Sequence, residues 1–156
     1  MFPTISTVPI RAPSINAESC NAPRLNYLLD TDTCIYALRH NERIIRRLLA
    51  AAREDVVVSV ITEAELRTGA AKSSTASKTL HLVENFLAPI TLIEFTSADA
   101  IAYTSVRAKL ERAGTPIGPL DTLIAAQAVA RKLTLVSNNE REFRRVSGLS
   151  VENWSR

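Results

Sequence analysis

Residues 27–34 are Tyr27-Leu28-Leu29-Asp30-Thr31-Asp32-Thr33-Cys34, a segment in which three apolar residues run directly into an acidic, hydroxyl-rich stretch. A short apolar run bounded by turn-forming residues and followed by a helical pattern is typical of a buried β-strand. Open α/β sheets bind their ligands at the carboxyl ends of parallel strands. The stretch therefore predicts a first strand ending at Asp30, and it makes Asp30 the first candidate in a metal-binding acidic cluster.

Further along the chain, apolar segments of strand type alternate with segments of helical periodicity. Strands are predicted at residues 56–60, 90–95, 133–136 and 149–151. Helices are predicted at residues 33–39, after Asn41, at 62–71, 79–87, 97–112 and 120–131, and in a short segment ending at Phe143. This alternation predicts an α/β fold of three layers, with a mostly parallel central sheet flanked by helices.

Length and composition place limits on the kind of protein. With 156 residues, 46% of them hydrophobic, the chain is long enough for one domain with a substantial core. A net charge of +3 permits a polyanionic partner without requiring one. The two cysteines show neither metal-type spacing nor a disulfide framework, so we expect a reducing, cytoplasmic setting. No apolar run reaches the roughly 18 residues of a membrane span, so we expect no membrane partner.

The first 25 residues differ in composition from the rest of the chain. They contain four prolines, several Ser, Thr and Asn residues, and a single acidic residue, Glu18. They also lack the apolar core of a signal peptide. We predict that residues 1–25 form a disordered extension and that residues 26–156 form the folded domain.

Four oxygen-bearing side chains share one predicted position relative to the sheet. Asp30 ends the first strand, Glu65 and Asp121 lie in the first turns of helices, and Asn139 follows a late strand. Strand ends and the following helix starts lie on the same edge of a parallel sheet, so these side chains are expected to converge. Oxygen-rich sites suit Mg²⁺ or Mn²⁺, and a bound cation offsets the repulsion between carboxylates. Such an ion supports phosphodiester hydrolysis.

Each of these residues also has a purely structural interpretation. Glu65 has the spacing of a capping-box partner for Thr62. Asp121 could serve only the positive end of a helix dipole, and Asn139 could be a turn residue. Asp32 is a candidate N-cap of the first helix. Asp30 is harder to explain this way, since a carboxylate beside a buried strand is costly without a partner.

Four segments together carry a family resemblance. They are residues 28–36 (LLDTDTCIY), 58–66 (VSVITEAEL), 114–126 (GTPIGPLDTLIAA) and 135–143 (LVSNNEREF). In this order and spacing the chain resembles the PIN domain family, and in particular the VapC toxin nucleases of toxin–antitoxin modules. Two segments resemble those of the VapC subgroup that cuts the anticodon loop of initiator tRNA. They are the loop at residues 114–119 and the run at residues 138–143.

The resemblance implies a Mg²⁺- or Mn²⁺-dependent endoribonuclease that is controlled by a cognate antitoxin and is commonly a homodimer. It implies catalytic and metal-binding roles for Asp30, Glu65 and Asp121, with Asn139 near a fourth acidic position and Glu142 as a further candidate ligand. Thr31 and Ser137 are candidate supporting residues, although a turn role is equally open. The candidates for contact with the RNA backbone are Arg39, Arg43, Arg46, Arg131, Lys132, Arg144 and Arg145.

Three other functions remain open from the sequence. The first is an RNA-processing nuclease of the same fold that is not part of a toxin–antitoxin module. A haloacid-dehalogenase-like phosphatase would use Asp30 as nucleophile and Asp32 as acid/base, but Cys34 stands where that motif has Thr or Val. A non-catalytic binding module is the third alternative, because fold does not fix function.

Overall fold

The computed structural model describes residues 26–156, so the prediction for residues 1–25 lies outside the described residues. Its centre is a sheet of short strands: β1 (Tyr27–Leu29), β2 (Val56–Ser59), β3 (Thr91–Ile93), β4 (Thr134–Val136) and β5 (Ser150–Glu152). The spatial order is β3-β2-β1-β4-β5, and every pairing in this sheet is parallel. β1 is therefore the central strand, and Leu29 lies in register with Val58 on one side and Val136 on the other.

Seven helices connect and cover the strands in the described part of the chain. They are α1 (Thr31–Leu38), α2 (Glu42–Ala50), α3 (Val60–Ala71), α4 (Ala76–Leu87), α5 (Ser97–Arg112), α6 (Pro119–Arg131) and α7 (Glu140–Phe143). A single 3₁₀ turn, Arg53–Asp55, precedes β2. The predicted cap at Asn41 is present, since its side-chain oxygen accepts hydrogen bonds from the backbone N–H groups of Arg43 and Ile44.

Side-chain alternation along the strands divides the core into two parts. Leu28, Val57 and Leu135 face the core cluster that α5 and α6 contribute to. Their neighbours along the strands, Leu29 and Val58, belong to the opposite cluster, to which α1 through α4 contribute. Successive residues of a strand point to opposite faces, so one sheet buries both of its faces. The three-layer α/β prediction is confirmed.

The starts of two helices differ from the sequence-based expectations. Helix α1 begins at Thr31, and its N-cap is Asp30 rather than Asp32, since the Asp30 side chain accepts a hydrogen bond from the Thr31 N–H. Helix α3 begins at Val60 with Ser59 as N-cap, so the expected capping box of Thr62 with Glu65 is wrong. Both helices start directly after their strands, because Asp30 and Ser59, the residues at the strand ends, serve as the N-caps.

A membrane span was not expected from the sequence. Across residues 26–156, every helix is too short or too polar to cross a bilayer.

Candidate active site

The candidate site lies where β1, β2 and β4 end. Parallel register sets the last residues of these strands side by side, so the residues that follow them emerge at one edge of the sheet. Asp30 follows β1, and Ser137 follows β4. The helices that begin at this edge bring the other acidic side chains: α3 contributes Glu65, and α6 contributes Asp121.

Asp30 is the most deeply buried of the candidate ligands, with 3% of its surface exposed. Its Oδ2 accepts a hydrogen bond from Ser137 Oγ at 2.7 Å, and its Oδ1 accepts one from the Thr31 N–H at 2.8 Å. Ser137 Oγ in turn accepts the backbone N–H of Asn139 at 3.0 Å. These contacts fix both oxygens of the carboxylate and explain why a serine follows β4.

The pKa of Asp30 is raised from its usual 3.8 to about 7. Burial is the largest cause, because it disfavours the charged form, and the hydrogen bonds from Ser137 and Thr31 oppose it. The nearby negative charges of Asp121 and Asp32 raise the pKa further. A buried carboxylate surrounded by like charges is the environment in which a cation has most to stabilise.

Glu65 is joined directly to the start of α1. Thr31 Oγ1 donates a hydrogen bond to Glu65 Oε2 at 2.5 Å, across 34 residues of sequence. Since the Thr31 N–H also binds Asp30, this one residue contacts two of the candidate ligands with different atoms. Thr31 therefore does more than terminate a strand, although the sequence left a plain turn role equally open.

Asp121 is half-buried at the third position of α6. Burial is the main cause that raises its pKa, and the negative charges of Glu65, Glu142 and Asp32 raise it further. The negative charge of Asp121 also raises the pKa of Asp30, so these two carboxylates lie near each other. The structure therefore places Asp30, Glu65 and Asp121, three of the four residues expected to converge, within electrostatic reach of one another. Together with Asp32 and Glu142 they form the acidic pocket.

Asp32 is the member of this acidic pocket that the sequence interpretation missed. It was taken as a cap candidate, but it is an exposed residue of α1 whose charge acts on both Asp30 and Asp121. Its spacing two residues after Asp30 was the available signal. Asn139 precedes α7 and makes no capping bond with its side chain in the described region, so its predicted role as a ligand stays a prediction.

The pocket suits a divalent cation in its chemistry. Its carboxylate oxygens are hard donors of the kind that Mg²⁺ and Mn²⁺ prefer, and the mutual repulsion recorded by the raised pKa values is what such a cation would offset. Within residues 26–156, however, no group of three acidic, His or Cys side chains is arranged closely enough to hold an ion. Binding would therefore require some of these side chains to move, and Glu65 is only partly buried.

The basic residues proposed to contact RNA fall into two groups. Six of them are exposed, namely Arg39, Arg43, Arg46, Lys132, Arg144 and Arg145. Arg145 donates to the carbonyl oxygen of Pro116 at 3.3 Å, in the loop that leads to Asp121, and Arg144 pairs with Glu140 at the start of α7. These two side chains are therefore close to elements that build the acidic pocket.

Arg131 has a different environment from the other six. Its Nη2 and Nε donate to both carboxylate oxygens of Asp99 at 2.8 and 3.2 Å, and Nη2 also donates to the carbonyl oxygen of Glu94 at 2.6 Å. Asp99 is only 1% exposed. The guanidinium of Arg131 thus joins the end of α6 to the start of α5, and its Nε and Nη2 donate within the protein. We omit it from the candidate RNA contacts.

Acidic side chains gathered at the carboxyl edge of a parallel, three-layer sheet define a class of α/β proteins with an acidic site. Comparison with family models assigns residues 27–149 to the PIN domain, and the chain belongs to the PIN domain family. The resemblance inferred from the sequence is confirmed.

The chain is also similar to named relatives over nearly their full lengths. It is 38% identical over 130 residues to the tRNA(fMet)-specific endonuclease VapC of Salmonella typhimurium, covering 83% of this chain and 98% of that protein. It is 36% identical to the ribonuclease VapC2 of Rickettsia felis, with the same coverage.

Solved structures give the same result. The crystal structure of DNA-bound VapBC from Salmonella typhimurium matches with a TM-score of 0.80 at 38% identity, covering 83% of this chain and 98% of that one. VapBC2 from Rickettsia felis, bound to a DNA fragment from its promoter, matches with a TM-score of 0.79 at 35% identity over 82% and 98% of the two chains.

Proposed function

We propose that this chain is a metal-dependent endoribonuclease of the VapC type, the toxin of a toxin–antitoxin module. The observation that carries the proposal is the meeting of Asp30, Glu65 and Asp121 in one acidic pocket, with raised pKa values for Asp30 and Asp121. Family membership and relatives that are named ribonucleases support the same chemistry.

In this proposal Asp30, Glu65 and Asp121 hold Mg²⁺ or Mn²⁺, and Asn139 and Glu142 are additional ligands. A divalent ion held by these residues would supply Lewis-acid stabilisation of the phosphoryl oxygens and would make water a better nucleophile. Ser137 and Thr31 orient the ligands: the Ser137 hydroxyl and the Thr31 N–H fix the two oxygens of Asp30. Ordering of ligands by such outer contacts is a general feature of metal sites.

The proposed substrate is an RNA, and specifically initiator tRNA cut in its anticodon loop. Support comes from relatives at 37–38% identity that are named tRNA(fMet)-specific endonucleases. Single-stranded RNA loops expose unstacked bases that a protein can contact, while a structured RNA also offers phosphates. Arg144 and Arg145, beside the acidic pocket, are our first candidates for phosphate contacts, followed by Arg39, Arg43, Arg46 and Lys132.

The proposed partners are a cognate antitoxin and a second copy of this chain, in the cytoplasm. The matched structures of two relatives are VapBC assemblies bound to DNA, which supports an antitoxin partner here as well. Co-expression with an antitoxin encoded by an adjacent small open reading frame, where the genome carries one, should give a stable complex with reduced RNA cleavage. A partner that leaves cleavage unchanged would contradict the toxin assignment and favour an RNA-processing nuclease.

Cleavage of end-labelled initiator tRNA tests the enzymatic proposal. We expect cutting with Mg²⁺ or Mn²⁺, none with EDTA, and a loss of at least about 100-fold in Asp121→Asn, because a ligand charge is removed while the side-chain shape is kept. Glu54→Gln is the matched control, since Glu54 is an exposed acid in the 3₁₀ turn before β2, and it should cut like the parent. Equal rates for Asp121→Asn and the parent would refute the proposal.

A further inference from the structure

Gly118 occupies a helix position that glycine tolerates but at which it supplies no side-chain cap. It is the N-cap of α6 and lies three residues before Asp121. N-caps favour Ser, Thr, Asp and Asn, whose side-chain oxygens accept hydrogen bonds from the first turn of the helix. Gly118 offers no such oxygen, and α6 begins without a side-chain cap. Because other residues serve at N-caps as well as glycine does, capping alone does not explain why glycine stands here.

Backbone conformation does not supply that explanation. Gly118 has φ −52° and ψ 146°, in the extended region that residues with a side chain adopt readily. It also precedes Pro119, and a residue before proline is restricted to this region in any case. The two glycines with positive φ in the described part of the chain, Gly114 and Gly148, differ from it in this respect.

The space around Gly118 is limited by one side chain. A Cβ atom built on Gly118 would lie 2.8 Å from Oδ2 of Asp121, 3.4 Å from its Cγ and 3.8 Å from its Cβ. The three nearest atoms all belong to Asp121, and a separation of 2.8 Å is shorter than real Cβ contacts. Any residue other than glycine would therefore compete with the Asp121 carboxylate for the same space.

The backbone at Gly118 is fixed, so the carboxylate would have to move. The Gly118 carbonyl oxygen accepts hydrogen bonds from both the N–H and the Oγ1 of Thr122, each at 2.8 Å. Pro119 fixes the next φ angle through its ring. The Asp121 carboxylate, in contrast, is the end of a side chain that can rotate, and no hydrogen bond to it is present in the described structure.

We propose that Gly118 is a positioning residue for the metal site: the absence of a side chain keeps open the place that the Asp121 carboxylate occupies. This inference rests on the proposed function, in which Asp121 is a ligand. Mg²⁺ requires near-ideal octahedral geometry with ligand distances of about 2.0–2.1 Å, so a displaced carboxylate oxygen weakens binding. Changes in residues that orient a ligand typically cost 10–100-fold in metal affinity.

Titration with Mn²⁺, followed by the electron paramagnetic resonance signal of the free ion, tests the inference. We expect Gly118→Ala to weaken Mn²⁺ binding by at least about tenfold. Its melting temperature in EDTA should stay close to that of the parent. Gly69→Ala is the matched control, because Gly69 lies in α3 and a Cβ there would meet no atom within 4 Å. It should bind Mn²⁺ like the parent.

Two further variants separate positioning of Asp121 from a general structural effect. Gly118→Ser adds the same Cβ together with a hydroxyl that can cap α6, so it should keep the fold and still weaken Mn²⁺ binding. In an Asp121→Ala background, Gly118→Ala should change Mn²⁺ affinity by less than about twofold, because the displaced group is gone. An equal loss in both backgrounds would overturn the inference.

The outcomes also distinguish this inference from the proposed function. If the parent binds Mn²⁺, Asp121→Ala weakens binding and Gly118→Ala binds like the parent, the role of Gly118 is refuted and the metal site stands. If Asp121→Ala binds Mn²⁺ like the parent, both the assignment of Asp121 as a ligand and the role of Gly118 fail.

Discussion

Replacing Asp30 by Asn should stabilise the metal-free protein at pH 8 while abolishing its cleavage activity. Asp30 is nearly inaccessible to water, and burial together with neighbouring charges raises its pKa to about 7. Holding this carboxylate ionised therefore costs folding free energy whenever no cation is bound. Asparagine has nearly the same shape and never carries the charge, so the substitution removes that cost.

The magnitude follows from the two pKa values. The difference between the usual 3.8 and about 7 is about three pKa units, which at about 1.4 kcal/mol per unit amounts to about 4 kcal/mol above pH 7. The amide has only one acceptor oxygen for the two donors, Ser137 Oγ and the Thr31 N–H, and losing one bond costs about 1–2 kcal/mol. We expect a net gain of about 2–3 kcal/mol for Asp30→Asn at pH 8.

The effect must depend on pH with a definite sign. A carboxylate with a raised pKa contributes its full stability below the unfolded-state pKa, near 4, and loses it as the pH rises through the folded-state value. The parent should therefore lose about 4 kcal/mol relative to Asp30→Asn between pH 4 and pH 8. At pH 5 the unfolded chain is already ionised at Asp30, and a cost of about 1.6 kcal/mol remains in the folded parent. The hydrogen bond lost in the variant offsets this cost, so the gain should be close to zero.

Thermal unfolding in EDTA at pH 5 and pH 8 measures this difference. At pH 8 we expect the melting temperature of Asp30→Asn to exceed that of the parent by about 5–10 °C. Mg²⁺ should then stabilise the parent and leave the variant unchanged, because only a folded state that binds the ion gains stability from it. Glu54→Gln, an exposed acid, should shift the melting temperature by less than about 2 °C at either pH. A variant less stable than the parent at pH 8, or a difference independent of pH, would refute the argument.

Three further predictions concern residues at and away from the site. Arg131→Ala should lower the free energy of unfolding, measured by urea titration, by about 3 kcal/mol, because it leaves the buried Asp99 carboxylate without its ion pair. In the same titration the control Arg46→Ala, which removes an exposed side chain, should cost less than about 0.5 kcal/mol. Burial raises the pKa of Asp99, but hydrogen bonds from Arg131 and Thr96 outweigh it and set that pKa below 3.8, so the Arg131→Ala loss should diminish as the pH falls below about 4. Ser137→Ala should weaken Mn²⁺ binding and slow cleavage by about 10–100-fold, and equal values for both proteins would contradict the orienting role of the Ser137 hydroxyl. Trp154→Ala should cost about 3–5 kcal/mol of stability in urea, since the ring is 3% exposed, and a loss under 1 kcal/mol would show that the C-terminal segment is dispensable.

Local patterns predicted most of the secondary structure. The first strand was expected to end at Asp30, and β1 ends one residue earlier, at Leu29. A helix was predicted over residues 97–112, and α5 covers those residues. Periodicity and strand-forming residues act over a few neighbours, which is why the sequence shows them directly. The capping box at Thr62 failed for a related reason. The spacing suited a cap, but β2 ends at Ser59 and the helix begins three residues earlier than that cap requires.

The sequence by itself determined the order of strands and helices, the strand-end placement of the acidic residues and membership of the PIN domain family. Only the tertiary structure decided which polar groups meet. Ser137 donates a hydrogen bond to Asp30, 107 residues away in sequence, and Thr31 donates one to Glu65, 34 residues away. Arg131 forms an ion pair with Asp99 and is therefore not a free cation for RNA. The physical reason is that periodicity is a property of neighbouring residues, whereas burial, hydrogen bonding and charge repulsion depend on distances between segments that only the folded chain brings together.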